Sequence, residues 1–205
     1  MMLGCTGFYV GKDVSTDGRT LLCRTADFNP WSNCCRLEVV PHEEKANRFY
    51  RGVNGCEWEL PEVTWKYVST PMHTSLGRGR YDSACVNEKG LAITGTVTGR
   101  NAEWIKEIDP YVKSGFGESA APGLLARCCA TAAEAVELLG KIIEKVGHNG
   151  REIYMFADKD EAWYVEVYSG HQWAAVKMPE NCVAAFGNQA TDEPLSVFEY
   201  KEVTK

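Results

Sequence analysis

No apolar run in this chain is long and uninterrupted enough to cross a bilayer as a helix, which excludes a helical membrane protein. Basic clusters are missing as well. Lysine and arginine number 22 against 28 acidic residues, for a formal net charge of −6, and there is no aromatic-basic stripe, so a nucleic-acid partner is not expected. Histidine is scarce, and the four residues, at 42, 73, 148 and 171, form no closely spaced ligand pair. Cysteine is plentiful, yet the nine residues at 5, 23, 34, 35, 56, 85, 128, 129 and 182 contain no C-x-x-C. Neither a metal nor another cofactor is therefore expected. An odd cysteine count with two adjacent pairs does not read as a disulfide framework. These thiols read as reduced, mostly buried small hydrophobes of a cytoplasmic protein. Cys23, Cys85 and Cys182 sit inside apolar runs and Cys128 and Cys129 on a helix face, while Cys34 and Cys35 acquire no role.

What is present suits one globular domain: 205 residues, 44% of them apolar, with no linker, repeat or low-complexity segment. Short runs rich in β-branched and aromatic residues recur through the first hundred positions, among them "CTGFYVG", "TLLCRTAD", "RLEVVP", "WKYVST", "DSACV" and "GLAITGTV". "STDG" and "NEKG" between such runs carry hairpin-turn chemistry. The composition then shifts. "GESAAPGLLARCCA" and "TAAEAVELLGKIIEKVG" predict two helices, the second with apolar residues at helical spacing, a capping box from Thr131 to Glu134 and a stop at Gly147. Strands resume in "EIYMFAD", "EAWYVEVYSG", "HQWAAVKMP" and "CVAAFGN", joined by "DKDE" and "SGHQ" turns. Strands, helices and strands again, without βαβ alternation, predict an α+β layered fold with antiparallel sheets.

The opening "MMLGC" places Gly before Cys, as a lipoprotein cleavage site does, but a secretory leader needs ~15–30 residues and only four precede Cys5. Cys5 reads differently as a nucleophile. A thiol attacks a carbonyl as thiolate and requires a base, and no histidine here has a local context that pairs it with Cys5. If residues 1–4 were removed, Cys5 would carry a free α-amine of unperturbed pKa ~8, a base built into the nucleophile itself. Arg24 and Asp27 close the second strand-like run; if the chain curls there, both reach one site, Arg24 favouring the thiolate and Asp27 holding the amine. A solvated surface ion pair is the alternative on spacing alone.

Taken together, "CTGFYVGKDVSTDGRTLLCRTAD", "ACVNEKGLAITGT", "DPYVKSGFGES", "TAAEAVELLGKIIEKVG", "DKDEAWYVEVYSGHQWAAVKMPE" and "AAFGNQ" resemble the dipeptidase family of N-terminal-nucleophile cysteine hydrolases, related to bile-salt hydrolases and penicillin acylases. The resemblance is collinear over nearly the whole chain. It implies a four-layer αββα sandwich, lacking its C-terminal part, and a dipeptidase acting by acyl transfer on small peptides. It implies Cys5 as nucleophile, Arg24 and Asp27 as the charged pair beside it, and Asn87 and Asn188 as amide donors to the oxyanion. Residues 1–4 become a leader to be removed and 5–205 the hydrolase domain. Thr25 departs from the family's pattern, which carries asparagine there, and members of the family are considerably longer. Two alternatives stand beside this reading: an amidase for non-peptide substrates of bile-salt or penicillin type, and a non-catalytic member whose uncovered strands take a partner, including a second copy in a homo-oligomer.

Overall fold

The computed structural model describes residues 4–27, 36–46, 48–72, 80–97 and 103–188. Met1 to Leu3, Cys34, Cys35, His73 and the segment from Gln189 lie outside the described residues. Strands β1 (Gly4–Val10) and β2 (Leu21–Asp27) form the first hairpin, followed by β3 (Glu38–Val40), β4 (Phe49–Arg51), β5 (Glu57–Glu59), β6 (Tyr67–Pro71), β7 (Asp82–Asn87) and β8 (Ala92–Val97). Helices α1 (Glu103–Ile108), α2 (Ala121–Cys128) and α3 (Ala132–Val146) come next, then β9 (Glu152–Ala157), β10 (Ala162–Val167), β11 (Trp173–Lys177) and β12 (Val183–Phe186). The four expected turns all close hairpins, β1–β2, β7–β8, β9–β10 and β10–β11, each antiparallel.

A seven-stranded sheet in the order β11-β10-β9-β8-β7-β6-β3 is the middle layer. On one face lie α2 and α3; on the other lies a three-stranded sheet, β12-β1-β2. Side-chain alternation explains how one strand serves both faces. In β9, Tyr154 and Phe156 enter the helix-side core, while Ile153, Met155 and Ala157 enter the core between the sheets with Tyr9, Tyr164 and Phe186. A strand buried on both sides needs no polar face, which is why "EIYMFA" is apolar almost throughout. The described residues thus build an α+β stack of helices, sheet and sheet.

The second predicted helix is α3. Thr131 Oγ1 accepts the Glu134 backbone N–H at 3.2 Å, the Glu134 carboxylate reaches back to the Ala130 N–H at 2.6 Å, and Gly147 ends the helix at φ 80°. Such caps contribute about 1 kcal/mol, less than the buried face of Ala135, Leu139, Ile142 and Ile143. Helix α1 and the short β4–β5 ribbon were not anticipated. Cys23 is a correction: it is exposed, because alternate residues of β2 point away from the large sheet. Of the other cysteines, Cys5, Cys56, Cys85 and Cys129 are buried, Cys128 and Cys182 are half-buried, and all seven described thiols are free. The outer edge of β2 is unpaired among the described strands, and Val68 and Val86 are exposed on the nearby sheet.

Leu139→Ala is expected to lower the unfolding free energy by about 2–5 kcal/mol, whereas Val183→Ala, at a strand position 66% exposed, changes it by less than about 0.5 kcal/mol. Urea denaturation of the two variants checks the contrast.

Candidate active site

Cys5 is the second residue of β1, buried on the face turned toward the large sheet. The β1–β2 register sets Cys5 opposite Ala26 and Gly7 opposite Arg24, and directly opposed residues share a face. Arg24 therefore projects to the same side as Cys5. Its Nη2 donates to Cys5 Sγ at 3.0 Å, and the same nitrogen lies 2.5 Å from Glu118 Oε1 in an ion pair whose side chains are 4% and 2% exposed. That approach is not aligned as a hydrogen bond to Oε1. Nη1 donates to the Ser83 Oγ at 2.6 Å and the Ser83 carbonyl at 3.2 Å, tying the guanidinium to β7. Glu118 Oε2 in turn accepts the Tyr81 hydroxyl at 2.8 Å.

Burial pushes the Cys5 thiol above its ordinary range; the Arg24 guanidinium pulls it back by hydrogen bond and charge, Glu118 pushes it up, and the Asp27 backbone N–H pulls it down. Burial wins. With Gly4 still attached, Cys5 is a thiol at neutral pH. Arg24 holds its proton more firmly than usual, because the neighbouring Glu118 and Cys5 outweigh its own desolvation.

Asn188, two residues past the end of β12, accepts the Cys5 backbone N–H through Oδ1. Since a backbone N–H can only donate, the amide oxygen faces Cys5 and the NH2 group is left as a donor. The approach is close enough that a Cβ on Gly4 would stand 2.9 Å from Asn188 Oδ1, so a larger residue there would displace the Asn188 amide.

The expected curl at the end of β2 does not occur. One-to-one register continues to Asp27 opposite Gly4, and a three-residue separation in a regular strand puts Arg24 and Asp27 on opposite faces. The exposed Asp27 carboxylate accepts the Thr25 hydroxyl at 3.2 Å, so Asp27 reaches Cys5 through its backbone and not through its carboxylate. Asn87 is not brought to Cys5 either. It lies four residues along β7 from Ser83, about 13 Å at strand rise, and its amide is fully engaged. Nδ2 donates to the carbonyls of Ala126 and Cys129 at 3.0 and 2.7 Å, while Oδ1 accepts the N–H groups of Lys89 and Leu91 at 3.0 and 3.1 Å. It is the turn residue that its position in "NEKG" allows, and it also anchors the end of α2.

Glu118 was missed. It sits inside "SGFGES", and the available signal was an acid in a glycine-flanked turn just before the apolar helix α2. Ser83 and Tyr81 gave no signal, because their roles depend on which strand lies beside β2. A cleft of about 350 Å3 opens between β2 and strands β6 to β8, bounded by Leu22, Arg24, Val68, Thr70, Ser83 and Thr94. Among the described residues no cluster of histidine, cysteine, aspartate and glutamate is placed to hold a metal ion.

A family model described as Peptidase family C69 matches residues 4–202. A probable dipeptidase B of Streptococcus pyogenes serotype M1 is 38% identical over 185 residues, covering 90% of this chain and 37% of that protein. A probable dipeptidase of Latilactobacillus sakei is 32% identical over 196 residues, 93% of this chain and 40% of that protein. The chain thus spans about two-fifths of the length of these relatives. Among solved structures, a mutant conjugated bile acid hydrolase from Clostridium perfringens aligns with a TM-score of 0.51 at 14% identity, covering 91% of this chain and 54% of that one. That likeness is one of fold. It agrees with the expected N-terminal-nucleophile sandwich, of which the described residues supply one helical layer and both sheets.

Arg24→Gln removes both effects by which the guanidinium lowers the thiol and leaves burial and Glu118 in place. The pH midpoint of Cys5 alkylation is then expected to rise by about 1–3 units, read by mass spectrometry of the Cys5 peptide against pH. An unchanged midpoint contradicts the contact.

Proposed function

Because the chain belongs to peptidase family C69, we propose that it is a cysteine peptidase hydrolysing dipeptides by acyl transfer to Cys5 after removal of residues 1–4. The observation carrying this reading is that sulfur and nitrogen of one residue are each held by a site group: Sγ by Arg24 and the backbone N–H by Asn188. Two relatives named as probable dipeptidases, at 38% and 32% identity, support the substrate class. A cleft of about 350 Å3 beside Arg24 suits a small ligand.

Cleavage of the Gly4–Cys5 bond turns an amide nitrogen, which is no base, into an amine. That amine takes the Sγ proton, and Sγ attacks the substrate's peptide carbonyl, whose π electrons move to oxygen. The Asn188 NH2 is a donor for that oxyanion, and Arg24 stabilises the thiolate beforehand. Asp27 touches Cys5 through its backbone, and its carboxylate lies on the opposite face of β2 from Arg24, so no carboxylate partner is assigned to the ammonium. The ammonium then protonates the leaving amine as the C–N bond breaks. Water, deprotonated by the same amine, hydrolyses the thioester and restores the thiol. Asn87 has no part in this scheme. The reading includes a cytoplasmic location, in keeping with seven free described cysteines.

The purified protein is expected to begin at Cys5 by intact mass and N-terminal analysis, and Cys5→Ala to keep its leader and lose turnover. Asn188→Ala is expected to lower kcat roughly 10²–10³-fold. Dipeptide hydrolysis by a chain still starting at Met1 contradicts the amine mechanism, and turnover of glycine or taurine conjugates in place of dipeptides contradicts the substrate class.

A further inference from the structure

Strand β7 does not run evenly beside β6. Its register steps from Ser69 opposite Cys85 to Pro71 opposite Asp82, two residues on β6 against three on β7, so β7 carries one extra residue. A regular strand would put Asp82 and Cys85 on opposite faces. Both lie instead on the helix side: Cys85 is in the core shared with α2 and α3, and the Asp82 carboxylate accepts the hydroxyls of Tyr67, at 2.8 Å, and Ser69. The bulge therefore turns Ser83 to the opposite face, the one that meets Arg24 of β2.

The turned residue is held from both sides. Asp82, before it, is fully buried and also takes Arg80 Nε at 2.5 Å, and the Ser83 carbonyl accepts the Thr94 hydroxyl of β8 at 3.4 Å. Ser83 is thus a fixed acceptor for the guanidinium. That group is a planar fork, and a plane held at one amino group alone can still rock about it. Arg24 Nη2 is occupied by Cys5 and Glu118, and Nε is buried with no partner among the described residues. The plane is therefore fixed at Nη1, by the Ser83 Oγ at 2.6 Å and the Ser83 carbonyl at 3.2 Å. The hydroxyl is the shorter of these two contacts.

We propose that Ser83, set by the β7 bulge, is the positioning residue that orients Arg24 so that Nη2 stays on the Cys5 sulfur. Ser83 acts through Arg24 and not on the sulfur itself. The groups that face the thiol are Arg24 from β2, Glu118 from the turn before α2 and the backbone of Asp27, and Tyr81 faces Arg24. Replacing Ser83 changes the charge of none of them. Its loss is felt as a loosened Arg24–Cys5 hydrogen bond, one of the two effects by which the guanidinium lowers the thiol. The inference rests on Cys5 being the nucleophile for its meaning, but alkylation of the thiol reads it whether or not a peptide bond is cleaved.

Ser83→Ala removes the hydroxyl and keeps the carbonyl. Compared among chains in the same state of processing, the midpoint of Cys5 alkylation is expected to rise by about 0.5–1 pH unit. In an Arg24→Gln background the same change is expected to leave the midpoint where it is, because the residue through which Ser83 acts is gone. A merely structural role would move both backgrounds alike. No shift in Ser83→Ala, or an equal shift in the two backgrounds, overturns the inference. If Ser83→Ala fails to fold, Ser83→Gly, which a bulge accepts, is held to the same outcomes. A wild-type chain inactive on dipeptides whose variants show this pattern would sink the peptidase reading and leave this inference standing; dipeptide hydrolysis with no Ser83 shift would do the reverse.

Discussion

The contact on which the rest of the site depends is the Arg24 guanidinium, held between the Cys5 sulfur, the Glu118 carboxylate and Ser83. A cation 4% exposed would be expensive without such partners. With them it ties three parts of the fold together: the β1–β2 hairpin, the start of β7 in the large sheet, and the turn that leads into α2. Cys5 is consequently positioned by the sandwich as a whole and not by its own strand.

The same contact shows why the proposed chemistry needs a base beside the thiol. Burial raises it, and Glu118 blunts the help that Arg24 provides. The buried His148 does not make up the difference, because its ring is engaged by the Gly150 carbonyl and the Tyr154 hydroxyl. In the proposed reading the base is the α-amine that removal of residues 1–4 would free, and the nitrogen that would carry it is met by Asn188.

Much of this was legible in local sequence. β-branched runs and turn residues located the hairpins, and the Thr131 box with Gly147 located α3. Cys5 and Arg24 could be paired because a hairpin with a short turn brings its two ends together. What local sequence did not carry was parity and depth. Whether Asp27 joins Arg24 depends on β2 staying regular to its last residue, and Cys23 is exposed for the same alternation. Asn87 carries the residue type of an oxyanion donor, but its amide is consumed by the end of α2. Glu118 could be assigned only after the two sheets were stacked, since its partner is 94 residues away in sequence, at Arg24. Acids inside apolar context, Glu118 before α2 and Glu152 opening "EIYMFA", were the sequence's faint sign of a buried polar network.

The central claim is that acyl transfer passes through the Cys5 sulfur. Rapid acid quench of the processed protein with a dipeptide that deacylates slowly, followed by peptide mass spectrometry, tests it most directly. The account predicts the mass of the substrate's acyl part on the peptide that begins with Cys5; turnover with no adduct there, or with the adduct on another residue, would contradict it.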